Sequence, residues 1–505
     1  MKFMRALVDR LSSTDRSVVL SDPSVDAAER VADDDRRQAD HLCVLVHGLW
    51  GNPKHLSYLA SSLREKYPPS QVHLLVVKRN AGSFTYDGIE VGGERVAQEI
   101  EDTLENLARD GQTIRKISVI GYSLGGLVAR YAIGLLHSKG YFDKIEPMNF
   151  TTFATPHLGV RTPLLGFHNH LWNVLGARTL SVSGRQLFTI DSFRNTGRPL
   201  LSVLADPDSL FIHALAKFKN RSLYSNIVND RSAVFYTTCI SRIDPFSDLS
   251  AVKVNYLKGY EPVLVDPSDP VSHNDDTQLP TFYGRLAGGS HKLVKLLPTS
   301  LVLFILIPLG TILFLLNSAI QSVRSRQRIR LHEECKAGMF SSYRIPLIVE
   351  DVQNAVEEVY EDLNNTQSQK YLPAGSEEVA SSVETSPYAK GMTEDKRLIL
   401  IDGPPKDSDS MSVISEKTVS LDDSDSSTLL LNNKPSPRLT EFPTLALTEA
   451  QFAMIQALDN VGFKKYPVHI HKVMHSHAAI IVRMPKKGFE EGKLVAKHWL
   501  SEFEA

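Results

Sequence analysis

The sequence predicts an α/β fold in which a mostly parallel sheet carries helices on both faces. Between residues 40 and 255, short apolar runs alternate with stretches of helical periodicity, which is typical of strands joined by crossover helices. We interpret four apolar runs as strands and three stretches as helices: Leu42–Val46, Val72–Val77, Ile117–Ile120 and Phe150–Ala154, with helices at 54–66, 93–109 and 125–137. At 505 residues the chain exceeds one ordinary domain.

The run Gly121-Tyr122-Ser123-Leu124-Gly125 is the most informative motif. It reads G-x-S-x-G and stands between a predicted strand and a predicted helix, the context of the nucleophile elbow of an α/β-hydrolase. The glycines allow a turn sharp enough to lift Ser123 Oγ away from the backbone, where it can attack an acyl carbon. The sequence therefore predicts Ser123 as a nucleophile; the alternative is an ordinary glycine-rich turn.

A second motif, His47-Gly48, follows the first predicted strand and so should lie beside the elbow. Acyl transfer develops negative charge on the carbonyl oxygen, and two backbone N–H groups stabilise it. We predict that Leu124, directly after the nucleophile, and Leu49, in the loop after the first strand, supply them. The alternative is a tight turn with His47 as a packing residue.

The acid is expected next in chain order, because this fold usually presents Ser, then Asp or Glu, then His. Asp230 ends the run 223–230, which reads as a strand finishing in a carboxylate, and is our candidate. Asp244 is the rival, although it could instead cap a turn before Pro245. Asp87, on a glycine-rich loop before the elbow, is a weaker candidate.

Several histidines could act as the base: His273, His291, His469, His471, His475 and His477. His477 stands before the apolar run 478–482 and a helical pattern at 491–503, and this fold carries its base on a loop before a terminal helix. We therefore favour His477, with His475 next. A metal site in this cluster is disfavoured because no carboxylate or cysteine lies nearby at ligand spacing.

Five motifs together resemble the fungal lipase-like putative serine esterase family, and within it the phospholipases of lipid droplets. They are His47–Asn52, Thr85–Ile89 with Gly93–Arg95, the elbow, Ala154–Gly159, and Asp230-Arg231 with Val234-Phe235. The resemblance covers about residues 40–250 and the C-terminal part, where the run from His477 to Arg483 also points to His477 as base. It implies hydrolysis of glycerolipid acyl esters on an α/β-hydrolase fold, without a metal or organic cofactor, at a lipid droplet.

Outside the sheet region the composition changes several times. An apolar insertion at about 160–218 could form a cap over the site and accept acyl chains, or only pack on the sheet. The other predicted segments are a disordered arm (1–39), a connecting segment (256–295), a basic linker (324–359), a disordered Ser/Asp-rich insert (360–440) and a C-terminal part of the hydrolase fold (445–505).

Residues 296–323 carry no charge, and 296–316 are apolar and long enough to span a bilayer. A spanning helix, however, would separate Ser123 and Asp230 from His477. Pro308-Leu309-Gly310 lies near the middle, where a hairpin needs helix-breaking residues. We therefore predict a monotopic anchor that enters and leaves a membrane or lipid droplet from one face.

These features predict a serine esterase that hydrolyses glycerophospholipids at a lipid droplet, or at the endoplasmic reticulum membrane, with its catalytic domain facing the cytosol. The net charge of −2 argues against nucleic acid as a partner, and the first residues have no apolar core for a secretory signal. A monoacylglycerol or triacylglycerol lipase, a protein acyl-thioesterase and an inactive membrane scaffold are the alternatives.

Overall fold

A computed structural model describes residues 39–161, 180–230, 232–273, 318–332, 371–372 and 442–505. Its centre is a six-stranded sheet in which every neighbouring pair is parallel. The strand order is β2-β1-β3-β4-β5-β8, and β6 and β7 form a separate antiparallel pair. The strands are β1 (His41–Val46), β2 (Val72–Val76), β3 (Lys116–Tyr122), β4 (Glu146–Phe153), β5 (Asn220–Asn226), β6 (Val252–Val254), β7 (Val271–His273) and β8 (Lys464–Val468).

Helices cover both faces of this sheet, and short 3-10 turns precede or join several of them. The described helices are α1 (Ser57–Lys66), α2 (Ile89–Arg109), α3 (Leu124–Ser138), α4 (Ser181–Leu187), α5 (Leu200–Leu204), α6 (Leu210–Ala216), α7 (Phe235–Thr238), α8 (residues 318–332), α9 (Glu449–Val461), α10 (Ser476–Ala479) and α11 (Glu491–Glu502). The 3-10 turns are Pro53–Leu56, Gly82–Tyr86, Tyr141–Asp143 and Lys487–Phe489.

The two faces of β1 belong to two separate hydrophobic cores. Leu42 and Val44 pack with residues of α2 and α3, whereas Cys43 and Leu45 pack with residues of α1 and α11. A strand buried on both sides reads as a continuous apolar run, which is why β1 is visible in the sequence. The predicted α/β fold with a mostly parallel sheet and helices on both faces is confirmed. All six strands end at one edge, and that edge carries the candidate site.

Helix α2 begins at Ile89, four residues before the start predicted from the sequence. Gly92 and Gly93 lie inside it, although glycine disfavours a helix interior. A Cβ on Gly93 would come within 2.5 Å of Tyr131 Cδ1 on α3, so the glycine permits a close contact between the two helices. Tight packing of α2 against α3 therefore outweighs the low helix propensity of this pair.

Residues on both sides of the anchor segment pack onto the same domain. The connecting segment predicted at 256–295 is described as far as His273. Within it, Leu264 is fully buried and forms an antiparallel β-bridge with Val468 of β8. Residues 442–505 add α9, β8, α10 and α11, so the sheet is completed by a strand far along the chain. Several predicted segments lie partly outside the described residues: 1–38 of the arm, 162–179 of the cap, 274–295 of the connecting segment, 296–317 of the anchor, 333–359 of the linker, and all of the insert except 371–372.

Helix α8 occupies residues 318–332, where the sequence predicts the end of the anchor and the start of a basic linker. Its Arg328 donates to both carboxylate oxygens of Asp87, at 2.7 Å from Nη2 to Oδ1 and 2.9 Å from Nε to Oδ2. Arg95 Nη2 donates to the same Asp87 Oδ2 at 2.8 Å. Ser325 Oγ donates to the Tyr86 carbonyl. Within the described ranges, no helix is both long and apolar enough to cross a bilayer.

We expect Arg328→Ala to lower the free energy of unfolding by about 3–5 kcal/mol, because it leaves the buried Asp87 carboxylate with one arginine instead of two. Chemical denaturation in detergent, followed by circular dichroism, measures the change. Arg326→Ala is the matched control, since Arg326 lies exposed on the same helix, and it should shift stability by less than about 0.5 kcal/mol. Equal effects of the two changes would contradict the role given to the Arg328–Asp87 pair.

Candidate active site

Ser123 stands at the junction of β3 and α3 with φ 54° and ψ −130°, a conformation that non-glycine residues rarely adopt. The flanking glycines make this turn possible through close contacts. A Cβ on Gly121 would lie 2.3 Å from Gly126 Cα, and one on Gly125 would lie 2.3 Å from the Val46 carbonyl oxygen. Strained backbone and crowded glycines are the expected geometry of a nucleophile elbow.

His477 lies between Ser123 and Asp230 and contacts both. Its Nε2 is 2.9 Å from Ser123 Oγ, and its Nδ1 is 2.8 Å from Asp230 Oδ2. His477 and Asp230 are 4% and 6% exposed, so water cannot compete freely for these hydrogen bonds. With Asp230 accepting from Nδ1–H, the other ring nitrogen carries no hydrogen and can accept the Ser123 proton.

Further hydrogen bonds fix the position of the aspartate. Asn226 Nδ2 donates to Asp230 Oδ2 at 2.9 Å, and the Ala233 N–H donates to Oδ1 at 2.8 Å. Asn229, directly before the aspartate, adopts φ 61°. The carboxylate is thereby held in one orientation toward His477.

The histidine is held by the elbow strand and by the aspartate loop. Tyr122 OH donates to the His477 carbonyl at 3.0 Å, and the two rings lie 5.2 Å apart between centroids. Ser476 Oγ donates to the Val228 carbonyl at 2.8 Å, which ties the histidine segment to the loop of Asp230. The sequence reasoning missed Tyr122 and Ser476 as supporting residues. Tyr122 is the variable second position of the G-x-S-x-G motif, so the motif itself gives no signal for it.

The competing carboxylates are engaged elsewhere. Asp244 Oδ1 accepts from the Phe246 N–H at 3.1 Å, the turn-capping role considered from the sequence. Asp87 is bound by Arg95 and Arg328. Of the three candidate carboxylates, the structure brings Asp230 into hydrogen-bond contact with His477.

The competing histidines have different surroundings. His475 is the N-cap residue of α10, and its carbonyl accepts from Ala479 N. His469 Nδ1 lies 2.7 Å from Tyr256 OH, and His471 Nδ1 lies 3.1 Å from Glu491 Oε1. His273 lies on β7, and His291 is outside the described residues. In the part of the chain that is described, no three His, Cys, Asp or Glu side chains are arranged to hold a metal ion.

Leu49 and Leu124 both line the cleft beside Ser123. Leu124 is the first residue of α3, where a backbone N–H has no acceptor within the helix. The loop of Leu49 passes very close to the elbow, since a Cβ on Gly48 would lie 2.7 Å from Ser123 Cβ. The two residues predicted to supply N–H donors thus both lie at the cleft beside the serine.

Trp50 continues the Leu49 loop and is bound by the 3-10 turn Gly82–Tyr86. The Trp50 indole N–H donates to Tyr86 OH at 2.7 Å, and its backbone N–H donates to Thr85 Oγ1 at 3.0 Å. Trp50 has φ 53°, so these bonds hold a strained backbone at the wall of the cleft. Helix α8 contacts the same turn, because Arg328 Nη2 donates to the Ser83 carbonyl at 2.8 Å. Helix α8 therefore lies next to the turn that holds the Leu49 loop in place.

The cleft around Ser123 has a volume of about 50 Å³ and a mainly apolar wall. It is small beside the roughly 300–1,000 Å³ of sites that enclose a drug-sized ligand. The described walls therefore fit the reacting ester group rather than a whole acyl chain. Leu180 and Leu187 come from the predicted cap, and Arg483 contributes a positive charge to the wall.

The parallel sheet, the strained serine turn and the hydrogen-bonded Ser123, His477 and Asp230 define the α/β-hydrolase class. Residues 36–243 match the sequence profile of the family described as "Putative serine esterase (DUF676)". This match identifies the chain as a hydrolase, and the predicted resemblance to the putative serine esterases is confirmed. The segment carrying His477 lies outside the matched residues.

Curated fungal proteins are similar over the same region. The chain is 32% identical over 246 residues to "Putative lipase ROG1" of Saccharomyces cerevisiae, covering 46% of this chain and 33% of that one. It is also 32% identical over 208 residues to a protein named as a putative lipase in Schizosaccharomyces pombe, covering 40% of this chain and 26% of that one. The match thus spans about a third or less of these relatives.

Solved structures give much weaker similarities. Est1E from Butyrivibrio proteoclasticus is 18% identical, with 26% of this chain and 49% of that chain covered and a TM-score of 0.18. Trichoderma reesei cutinase with a phosphonate inhibitor is 18% identical, with 27% and 62% covered and a TM-score of 0.18. The fold is therefore assigned from the strand order and the nucleophile elbow, and not from these structures.

Proposed function

We propose that this protein is a serine esterase that hydrolyses acyl esters of glycerophospholipids at the surface of a lipid droplet or membrane. The proposal rests on the arrangement of three side chains. Ser123 Oγ lies 2.9 Å from His477 Nε2, and His477 Nδ1 lies 2.8 Å from Asp230 Oδ2. A Ser-His-Asp triad of this kind activates the serine hydroxyl for acyl transfer.

In the proposed mechanism, Ser123 Oγ attacks the ester carbonyl carbon while His477 Nε2 takes its proton. Asp230 orients the imidazole and stabilises its charged form. The N–H groups of Leu49 and Leu124 bind the negative charge that develops on the carbonyl oxygen. The tetrahedral intermediate collapses, His477 gives its proton to the leaving alcohol, and an acyl-enzyme remains. Water, deprotonated by His477, then attacks the acyl-enzyme and releases the fatty acid and free Ser123.

The apolar cleft wall supports a lipid as substrate. Leu49, Leu180 and Leu187 border the serine, and apolar walls exclude water from the first carbons of an acyl chain. The relatives' names as lipases are consistent with this choice. The choice of a phospholipid over a neutral glyceride follows from the five sequence motifs, which resemble those of the lipid-droplet phospholipases within the family.

Two of the alternative functions would use the same catalytic chemistry, and the third would not. A monoacylglycerol or triacylglycerol lipase and a protein acyl-thioesterase would use the same three side chains. An inactive membrane scaffold is disfavoured by the complete hydrogen-bonded series at the serine.

Substrate class is tested with the purified full chain and its Ser123→Ala variant, each incubated with phospholipids, neutral glycerides and acyl-thioesters. Mass spectrometry of the released acids and lysolipids should show hydrolysis of phospholipids above the other classes, and none by the variant. A preference for glycerides or thioesters would replace the proposed substrate while keeping the mechanism. Equal product from the variant would reject Ser123 as the nucleophile and with it the proposed mechanism.

We further propose that residues 296–317, the part of the predicted 296–323 anchor that precedes α8, hold the protein on a lipid droplet, or on the endoplasmic reticulum membrane, without crossing it. Support comes from both flanks of the segment. The preceding residues up to His273 and the following helix α8 belong to one folded domain, through the Leu264–Val468 bridge and the Arg328–Asp87 pair. A single crossing would place these flanks on opposite sides of the bilayer.

We expect epitope tags placed before residue 40 and after residue 505 to be digested together when protease is added to intact microsomes or droplets. Both tags then lie on the cytosolic side, as a monotopic anchor requires. A lumenal resident protein that stays intact is the control for membrane integrity. Protection of one tag alone would reject the monotopic anchor.

A further inference from the structure

Residues 472–487, called here the basic rim, carry four lysine or arginine residues and no aspartate or glutamate. The rim consists of the loop before His477 and the turn after α10. These two parts are adjacent, since a Cβ on Gly488, just after the turn, would lie 2.3 Å from Val473 Cγ1. The rim is therefore one continuous surface.

The three lysines of the basic rim face solvent. Lys472, Lys486 and Lys487 are exposed, and none of them forms an ion pair with any residue that the structure describes. Five other described lysines form ion pairs, as Lys464 does with Glu502. The rim lysines thus carry positive charge that no described carboxylate side chain pairs with.

The backbone of the rim is fixed before any partner binds. Glu491, which is 5% exposed, accepts from the His471 and Lys472 N–H groups at 2.9 and 3.0 Å. A surface that is already ordered loses little conformational entropy on docking.

The basic rim also borders the reaction site and exposes an apolar side chain. Arg483 lines the cleft together with Ser123 and His477. Met474 is 49% exposed, which is unusual for a large apolar side chain in this domain. Lysines around an exposed methionine match a lipid surface, because the ammonium groups bind anionic headgroups while the methionine enters the apolar boundary. An acidic protein would satisfy the lysines but would not explain the exposed methionine that accompanies them.

We propose that the basic rim docks the hydrolase domain on an anionic phospholipid surface and so turns the cleft toward the ester bonds. This inference rests on the proposed function. A lysine close to an anionic membrane strengthens binding by about a factor of five. The anchor segment would hold the chain at the lipid, and the rim would set the orientation of the domain there.

The test compares the full chain with a rim variant, Lys472→Gln/Lys486→Gln/Lys487→Gln. The control is Lys144→Gln/Lys217→Gln/Lys219→Gln, which removes the same charge near the starts of β4 and β5, at the opposite edge of the sheet. Each protein is assayed on labelled phosphatidylcholine in vesicles with and without phosphatidylserine, at low and high salt, and on p-nitrophenyl butyrate in solution.

We expect the rim variant to lose about tenfold in rate on anionic vesicles at low salt. It should retain its rate on pure phosphatidylcholine and on the soluble ester, while the control retains all three rates. Equal losses in the rim and control variants, or a rim loss that is the same without phosphatidylserine, would overturn the proposal.

A second readout separates this inference from the proposed function. The Ser123→Ala chain, with and without the rim changes, is sedimented with the two kinds of vesicle. Preference for anionic vesicles should be present with the intact rim and lost with the changed rim, whatever the enzyme hydrolyses. If wild type hydrolyses no phospholipid but this preference is lost, the proposed function fails and the rim stands. If the preference persists without the rim lysines, the rim proposal is wrong.

Discussion

Ser123→Ala is expected to lower kcat for ester hydrolysis by about 10⁴–10⁶-fold, because it removes the atom that forms the acyl-enzyme. Donors at the cleft and substrate binding would account for what activity remains. A fluorophosphonate probe that labels activated serines should mark the wild type and not the variant. The rate of acid release from a soluble short-chain ester gives the fold-change.

The loss should not come from unfolding. Ser123 is only partly buried and its hydroxyl contacts His477, so removing it should change the free energy of unfolding by about 1 kcal/mol at most. Ser138→Ala, at the exposed end of α3, is the control and should keep full activity. A Ser123→Ala protein within tenfold of wild type would sink the assignment of the nucleophile.

His477→Ala should have a similarly large effect, about 10⁴–10⁶-fold in kcat, since no other base lies within hydrogen-bond distance of Ser123 Oγ among the described residues. KM should change little because the imidazole acts on the proton and not on the acyl chain. Steady-state kinetics on the soluble ester separates the two constants.

His475→Ala is the matched control, as it stands two residues away on the same segment. It caps α10 through its backbone carbonyl, which alanine also possesses, so we expect a change of less than about threefold. A large loss at His475 with a small one at His477 would transfer the role of base to His475.

The sheet was predictable because its central strands are buried on both faces. The strands β1 and β3 are therefore plain apolar runs, and the order of strands and helices follows from them. Strand β8 was not predicted. Its sequence Lys-Lys-Tyr-Pro-Val contains two charges and a proline, and it forms a strand because it pairs with β5. Its other side carries the short Leu264–Val468 bridge in place of a further strand of the sheet. Proline is tolerated on such an edge.

Helix α8 was also missed, for a different reason. Its buried positions carry polar side chains at helical spacing, namely Ser318, Gln321, Ser325 and Arg328. Because sequence methods look for apolar residues at that spacing, a helix that docks through polar groups gives no signal. Its position is fixed by an ion pair with Asp87, a residue far away in the chain.

The candidate site was only partly predictable. The elbow is local, so Ser123 and Leu124 follow from adjacent residues. Asp230 and His477 were chosen by chain order and family resemblance, and the competing carboxylates and histidines could not be excluded without three-dimensional contacts. The supports Tyr122, Trp50 and Ser476 depend on contacts between distant segments, which a single sequence does not contain.

The separation of 354 residues between Ser123 and His477 has a consequence for the timing of synthesis. At about 5–20 residues per second, the ribosome needs roughly 20–70 s to add the segment that carries the histidine. During that interval the sheet can form from β1 to β5, but β8 and α10 have not yet been made. A nascent chain with a finished elbow therefore lacks the histidine that contacts Ser123, and the Ser123–His477 hydrogen bond can form only after the apolar segment at 296–323 has been translated.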